Sequence, residues 1–299
     1  MTALLDLPIE SWPSEPRDGA IDAGTAARAI DALEDGLVVY FPALPFPMSV
    51  DEASLLDPGV SDGKAKNVTW FPDQRILKGA KDDAALRARL TALLDRYATT
   101  TRRLVETLFP GYRAALAFGP TTLRPVEIAG RPPPSWRRDD TRLHTDAFPA
   151  RPTGGTRILR VFSNVDPAGT ARRWRVGGRF EDFAAPRVQA IRRLLPGESA
   201  LLAGLGITRG RRGLYDHLML ALHDRMKGDD AYQRDGVTAE VSFPAGTSWM
   251  VFTDQVPHAA IAGRNALEQT FHLPVTAQRH PGRAPLRVLE RLCGRRLAP

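Results

Sequence analysis

The sequence predicts an α+β protein, because its two parts differ in hydrophobic periodicity. Before residue 118, leucines such as Leu86, Leu90 and Leu93 recur at helical spacing, which predicts one or two long helices over residues 83–108. After that point, short β-rich runs alternate with turn signals, and these runs lie at 121–128, 157–165, 237–243, 247–253 and 267–275. Short antiparallel strands around a metal site are typical of a double-stranded β-helix, the cupin-type jelly roll. We therefore predict a jelly-roll core with flanking helices mainly from the N-terminal half.

The chain shows no internal repeat and no linker between independent units, so we expect a single domain over residues 1–299. Its expected parts are a helix-rich flank, a jelly-roll core and a basic tail, at 1–118, 119–277 and 278–299. Residues 1–20 are expected to be loosely held and residues 45–81 to be irregular.

Local sequence patterns add detail to the predicted jelly-roll core. Basic, glycine-punctuated residues 171–212 predict mostly loop with some helix, and residues 213–227 predict a helix. Pro244, Ala245 and Gly246 predict a hairpin between the strands on either side.

Composition narrows the class of partner and the compartment. The 299 residues carry a net charge of +7, which suits nucleic acid, a membrane surface or an acidic substrate. No helix-turn-helix, zinc finger or RNA-binding aromatic motif is recognisable, so nucleic acid is not an expected partner. Cys293 is the single cysteine, the first 16 residues do not resemble a signal peptide, and no apolar run is long enough to span a bilayer. We expect a cytoplasmic protein that meets a membrane only at its surface.

The candidate site is centred on the stretch RLHTDAF at 142–148. Alternate side chains of a β-strand share a face, so His144 and Asp146 would point the same way and grip one divalent metal. His258 follows a strong strand and precedes another, where a third ligand would lie. Two histidines and one carboxylate on one side of a metal are diagnostic of non-haem Fe(II) oxygenases.

Basic residues near these positions suggest a bound carboxylate. Arg160 lies among apolar neighbours on a predicted strand, which is costly unless the guanidinium meets an anion. Arg264 and Gln269 follow His258 on the next strand signal. Fe(II) oxygenases that use 2-oxoglutarate commonly hold its far carboxylate with a basic residue in this region.

The sequence resembles the 2-oxoglutarate/Fe(II)-dependent dioxygenases, and within them the hydroxylases of 3-deoxy-D-manno-oct-2-ulosonic acid (Kdo). The stretches that carry the resemblance are DGKAKN at 62–67, DDTRLHTDAF at 139–148, RVFSNV at 160–165, LHDRMK at 222–227, DQVPHA at 254–259 and LEQTF at 267–271. The resemblance implies that His144, Asp146 and His258 are the iron ligands and catalytic centre. It implies a 2-oxoglutarate contact at Arg160, and it leaves Arg264 and Arg124 open as alternative anchors.

The same resemblance implies hydroxylation at carbon 3 of the Kdo sugar in lipopolysaccharide inner core or Kdo-lipid A. The implied cofactors are Fe(II), 2-oxoglutarate and O2, with ascorbate as activator. The implied partner is a Kdo-containing glycolipid, with peripheral contact to the inner membrane. Four basic side chains are candidate substrate contacts: Arg172, Arg173, Arg175 and Arg179.

Two other functions remain open at this point. The chain could hydroxylate a protein side chain or a small acid, or it could be a jelly-roll module that binds sugar without turnover. Each site residue also has a structural alternative: a surface pair for His144 and Asp146, a core histidine for His258, and a structural ion pair for Arg160. His217 and His223 are expected to be structural, because six residues on a helix do not place them on one face.

The tail contains one amphipathic stretch. Leu286, Leu289, Cys293 and Leu297 recur at spacings of three and four, which predicts one apolar stripe on a basic helix. Such a helix can lie on an anionic membrane, or its stripe can pack against the helix-rich first part. Packing against the helix-rich first part is favoured over membrane contact, because the stripe is narrow and has no Trp or Phe.

Overall fold

Antiparallel β-structure forms the centre of the computed structural model, which describes residues 3–17, 19–133 and 135–298. Its strands are β1 (Leu4–Asp6), β2 (Val38–Phe41), β3 (Val68–Phe71), β4 (Ile76–Lys78), β5 (Ala117–Arg124), β6 (Arg157–Asn164), β7 (Arg172–Gly177), β8 (Thr238–Phe243), β9 (Ser248–Phe252), β10 (His258–Ala262) and β11 (Ala266–Leu273). In the described residues they form two sheets, one of eight strands in the order β1-β2-β9-β6-β11-β5-β3-β4 and one of three in the order β10-β7-β8. All neighbours pair antiparallel except β1 and β2.

Aromatic side chains from the two sheets meet in one apolar cluster. Phe162 and Trp249 come from the larger sheet, and Trp174 and Phe243 come from the smaller one. The rings of Phe243 and Trp249 stack with centroids 4.0 Å apart, and Trp174 meets Trp249 edge to face at 5.6 Å. Two sheets packed over such a core make the predicted double-sheet architecture, and the α+β fold class is confirmed.

Helices flank the sheets from both parts of the chain. Their bounds are α1 (Ala23–Glu34), α2 (Val50–Ala53), α3 (Ala84–Leu108), α4 (Phe180–Ala184), α5 (Glu198–Gly204), α6 (Leu214–Gly228), α7 (Asp230–Asp235) and α8 (Pro285–Cys293). The predicted long helix is the single helix α3, whose N-cap Asp83 accepts a hydrogen bond from the Leu86 amide at 2.8 Å. Its buried Leu104 and Leu108 pack with Leu159 and Phe271 of the larger sheet, and each such leucine contributes roughly 2 kcal/mol.

The tail helix α8 packs within the second part of the chain. Leu286 and Leu289 are buried in a cluster with Phe183 of α4 and with Leu222 of α6. The apolar stripe of the tail therefore packs inside the protein, which is the alternative that the sequence favours. Its partners are the later helices, however, and not the first part of the chain as predicted. In the described part of the chain, no helix is long and apolar enough to cross a bilayer.

Several local predictions are wrong, each for a physical reason. Residues 172–177 form β7, because every second side chain of this arginine-rich run is buried and the exposed arginines hide the alternation. Pro244, Ala245 and Gly246 do not close a hairpin: β8 and β9 belong to different sheets, and turn chemistry does not encode the partner strand. Strands β1, β3 and β4 lie in the stretches expected to be loose or irregular.

Candidate metal centre and its two cavities

Backbone pairing brings the two candidate histidines together. His144 lies outside the regular strands, contrary to expectation, in an isolated antiparallel bridge with His258 at the start of β10. The His144 amide donates to the His258 carbonyl at 3.1 Å, and the His258 amide donates back at 2.9 Å. The Asp146 amide donates to the carbonyl of Thr253, just after β9, at 2.8 Å. The three residues are thus fixed by main chain from different parts of the sequence.

The side chains of these residues form a donor set suited to one metal ion. Ligand atoms of His144, Asp146 and His258 all lie within 4.8 Å of one another, and all three residues are buried. Nδ1 of His144 lies 2.8 Å from the Arg142 carbonyl, and Nδ1 of His258 lies 2.9 Å from the Val256 carbonyl. A carbonyl can only accept, so each Nδ1 carries the proton and each Nε2 keeps a free lone pair.

Electrostatics hold the three groups in the protonation states that metal binding requires. Burial, followed by the charge of His258, lowers the pKa of His144 well below its usual value, and burial also lowers the pKa of His258. Burial alone would raise the pKa of Asp146, but the charge of Arg160 foremost, together with a hydrogen bond from Thr253, holds that pKa well below its usual range. Neutral imidazoles beside an ionised carboxylate form a 2-His-1-carboxylate set of the kind that binds Fe(II).

Behind Asp146, an ion-pair network links three strands. The Arg160 Nη2 lies 3.0 Å from Asp146 Oδ2, and its Nη1 lies 2.9 Å from Glu268 Oε1. Arg124 on β5 approaches the other oxygen of Glu268 at 2.6 Å. Burial would raise the pKa of Glu268, but the two arginines lower it instead. Glu268, which sequence reasoning missed, therefore fixes both guanidinium groups beside the set of His144, Asp146 and His258. This set of three side chains is called the cluster below.

An inner cavity of about 230 Å³ opens onto all three candidate ligands. Its lining includes four cations, Lys66, Arg124, Arg160 and Arg172, and two carboxylates, Asp140 and Asp146. Arg172 is buried, and among the described residues no carboxylate forms an ion pair with it. Burial, followed by the charge of Arg124, lowers the pKa of Arg172 to about 9. An unneutralised buried cation of this kind is stabilised by a bound anion.

An outer cavity of about 570 Å³ reaches the cluster from another side, touching His144 and Asp146. It is lined by Arg137, Arg138 and Lys227, together with His223, whose ring lies 5.5 Å from that of His144. The Lys227 Nζ donates to the Arg137 carbonyl at 3.0 Å. This second basic cavity is more than twice as large as the inner one.

Comparison with known proteins now identifies the family. The sequence profile of the 3-deoxy-D-manno-oct-2-ulosonic acid (Kdo) hydroxylases matches residues 17–296. The chain belongs to the Kdo hydroxylase family. No curated protein sequence matches it.

Solved structures of a Kdo hydroxylase, KdoO, share this fold. The apo form, described as a non-haem Fe(II) α-ketoglutarate-dependent dioxygenase, is 44% identical, with a TM-score of 0.93 over 99% of this chain and 97% of the other. The form with α-ketoglutarate and Fe(III) is 43% identical, with a TM-score of 0.92 over the same shares. A third, with succinate and Fe(III), is 43% identical, with a TM-score of 0.93 over the same shares. These likenesses confirm the predicted class of enzyme and its dependence on Fe(II) and 2-oxoglutarate.

Not every predicted site residue of this Kdo hydroxylase reaches the cluster. The Arg264 Nε lies 3.3 Å from Asp166, and Arg264 lines neither cavity. Gln269 is fully buried between strands, where its Oε1 accepts from the Thr121 hydroxyl at 2.5 Å. Proximity to His258 in sequence is misleading here, because Gly263 turns the chain with φ of +104° directly after β10.

Of the four arginines predicted to contact substrate, the structure brings only Arg172 to the inner cavity. Arg173 is exposed and pairs with Glu240 at 3.2 Å, while Arg175 donates to the Gln233 carbonyl at 3.0 Å. Arg179 caps α4 and is exposed. The period of two along β7 explains the difference, since Arg172 and Trp174 face inward and Arg173 faces outward.

Two further Kdo hydroxylase residues had no usable signal at their own positions. Trp174 lines the inner cavity and stacks on His258 with centroids 5.2 Å apart. His223 was expected to be structural, but it lies beside His144 in the outer cavity. The alternation along β7 gives Trp174 its inward position, but it can be used only once residues 172–177 are known to form a strand, and the placement of His223 depends on how α6 packs.

Proposed function

We propose that this chain hydroxylates carbon 3 of Kdo in a Kdo-containing glycolipid, using Fe(II), 2-oxoglutarate and O2. The observation that carries the proposal is the buried set of His144, Asp146 and His258 where two cationic cavities meet. Iron and 2-oxoglutarate, when bound, supply an oxidative decarboxylation that yields succinate and carbon dioxide and places one oxygen atom of O2 on a C–H bond.

Each ligand atom has a defined role in the proposal. His144 and His258 would bind iron through Nε2, because their Nδ1 atoms donate to backbone carbonyls. Asp146 would bind through Oδ1, which lies 4.0 Å from His144 Nε2, while Oδ2 faces Arg160. Such a pairing orients the carboxylate and keeps it ionised.

The inner cavity is the proposed site of 2-oxoglutarate. A dianion would balance its excess of cations, and Arg172 is the guanidinium without a carboxylate of its own. Arg124 and Arg160 are already paired with Glu268, so they would shape the cavity and add a long-range attraction. We therefore propose Arg172 as the anchor of the far carboxylate, with Arg124 and Arg160 beside it and Trp174 as a wall.

The outer cavity is the proposed site of the sugar. Kdo carries a carboxylate, and Arg137, Arg138 and Lys227 offer cations at a distance from the inner site. Burial lowers the pKa of Lys227, which remains a hydrogen-bond donor held by the Arg137 carbonyl. His223, next to His144, would face the part of the sugar nearest the metal.

A glycolipid substrate places the enzyme at a bilayer surface. We therefore propose peripheral contact with the cytoplasmic face of the membrane that holds the substrate. The apolar side of α8 is occupied by the protein's own core, so the contact would lie elsewhere.

The test is substrate-dependent succinate release with Fe(II), ascorbate and 2-oxoglutarate. Kdo-lipid A should stimulate release and gain one oxygen atom by mass spectrometry, whereas lipid A without Kdo should do neither. Fragmentation of the product locates the hydroxyl group. Equal release with both lipids, or oxygen outside the sugar, would reject Kdo as the substrate. No release under any condition would favour a binding module without turnover.

A further inference from the structure

Residues 192–212, which we call the 192–212 segment, concentrate exposed aliphatic surface. Leu195, Leu201, Leu205 and Ile207 expose 66%, 62%, 65% and 55% of their surface. They lie on or beside the short helix α5, within 13 residues of sequence. Large aliphatic side chains gathered in this way mark an interaction surface, whereas single exposed ones need no explanation.

The same segment is strongly basic. It contains five arginines, Arg192, Arg193, Arg209, Arg211 and Arg212, and a single acid, Glu198. Glu198 is already paired with Arg192 at 2.6 Å. The other arginines lie at both ends of the stretch that carries the exposed aliphatic side chains, and exposed aliphatic residues combined with basic ones are typical of elements that lie in the interface of an anionic bilayer.

The segment is tied to the rim of the outer cavity. The Arg209 amide donates to the Ala150 carbonyl at 2.9 Å, and the Arg212 Nη2 donates to the Pro149 carbonyl at 2.8 Å. Pro149 lines the outer cavity together with Phe148. The Ser199 hydroxyl donates to the Arg212 carbonyl at 2.8 Å, so α5 is held to the same anchor. A surface that meets the 192–212 segment therefore also meets the mouth of the outer cavity.

We propose that the 192–212 segment docks on an anionic phospholipid bilayer and holds the outer cavity over a membrane-anchored substrate. The proposal rests on the proposed function, because a glycolipid presents its sugar at such a surface. Lipid fits better than a protein partner, because the excess of arginines over the single acid in the segment complements a surface of uniform negative charge. Its aliphatic side chains would enter the acyl boundary while the arginines meet phosphate groups.

Vesicle binding of the full chain tests the docking. The variant is Leu201→Ser/Leu205→Ser, and the matched control is Val50→Ser/Val237→Ser, which removes aliphatic residues that are at least as exposed from other parts of the chain. On vesicles of phosphatidylcholine with phosphatidylglycerol, the first variant should bind at least about tenfold more weakly than wild type, and the control should bind normally. Wild-type binding should fall as salt rises and should be weak on phosphatidylcholine alone.

Hydroxylation assays distinguish a failure of the docking proposal from a failure of the proposed function. The segment variant should hydroxylate a water-soluble Kdo oligosaccharide like wild type and lose efficiency only on glycolipid embedded in vesicles. If wild type hydroxylates no Kdo substrate, the proposed function fails, while vesicle binding still judges the docking. If the segment variant binds vesicles as wild type does, the docking proposal is overturned. It is also overturned if wild type does not bind vesicles but forms a dimer that the variant loses, since the occupant would then be a second copy.

Discussion

The two cavities that meet at the cluster differ in how their cations are held. In the inner cavity, Arg124 and Arg160 are locked to the buried Glu268, and Arg172 is buried beside them. In the outer cavity, Arg137 pairs with Asp224 at 3.2 Å near the surface, and Arg138 is exposed. The three inner arginines are thus held in buried surroundings, whereas the two outer arginines lie near the surface.

This difference matches two kinds of ligand. A small dianion, such as 2-oxoglutarate, gains from guanidinium groups that are fixed before it binds. A larger sugar on a lipid gains from cations that adjust to it, and each screened contact contributes less. Substitutions in the inner cavity should therefore have larger and more specific effects than those in the outer cavity.

The largest effect is expected where the cavities meet. His144→Ala or Asp146→Ala should reduce turnover to background and abolish bound iron, because either change removes one of three protein ligands. The fold should persist, as judged by circular dichroism, since neither side chain belongs to the apolar core clusters. Iron content and succinate release should fall together. Wild-type iron content in either variant would mean that the metal is bound elsewhere.

The next largest effect is expected for a substitution in the inner cavity. Arg172→Ala should raise the apparent KM for 2-oxoglutarate by roughly thirtyfold or more, because loss of a buried charge partner costs about 2 kcal/mol or more. The apparent KM for Kdo-lipid should change little. Arg264→Ala is the matched control, since Arg264 pairs with Asp166 away from both cavities. A rise in the control with none in Arg172→Ala would move the anchor to Arg264.

A smaller effect is expected in the outer cavity. Arg138→Ala should raise the apparent KM for Kdo-lipid by up to about fivefold, as for a solvent-screened ion pair, and leave that for 2-oxoglutarate unchanged. Initial rates measured while each substrate is varied in turn give both values. If 2-oxoglutarate binding weakens instead, the two cavities are assigned the wrong way round.

The last expected effect concerns thermal stability, which is measured on a different scale from the kinetic constants. A metal that binds only the folded protein adds about 2.7 kcal/mol at a hundredfold excess over its Kd. Wild type should therefore melt several degrees higher with Fe(II) under nitrogen than with a chelator. Arg138→Ala should show the same shift and His144→Ala none. An equal shift in all three proteins would indicate binding outside the cluster.

Sequence reasoning was most successful where short-range patterns decide the structure. The predicted strands at 157–165 and 247–253 match β6 and β9 to within one residue at each end, and the predicted helices over 83–108 and 213–227 match α3 and α6, because periodicity and capping are local properties. His144, Asp146 and His258 were selected because their chemistry and spacing are unusual in combination. That the three side chains meet was an expectation, and the structure brings them within 4.8 Å.

The site features that the sequence does not predict depend on packing between residues that are far apart in the chain. Arg264 was a candidate because it follows His258, yet the turn at Gly263 takes it away from the cluster. Arg172 faces the inner cavity only because β7 lies in the smaller sheet between β8 and β10. Glu268 had no distinguishing local signal, since its role arises from two arginines on other strands.

Diffraction at the iron absorption edge from crystals grown under nitrogen with Fe(II) and 2-oxoglutarate tests the account most directly. We predict one anomalous peak within bonding distance of Nε2 of His144, Nε2 of His258 and a carboxylate oxygen of Asp146. The far carboxylate of 2-oxoglutarate should meet the Arg172 guanidinium in the inner cavity, leaving the outer cavity free for the sugar. An iron peak away from these three residues, or 2-oxoglutarate in the outer cavity, would contradict the account.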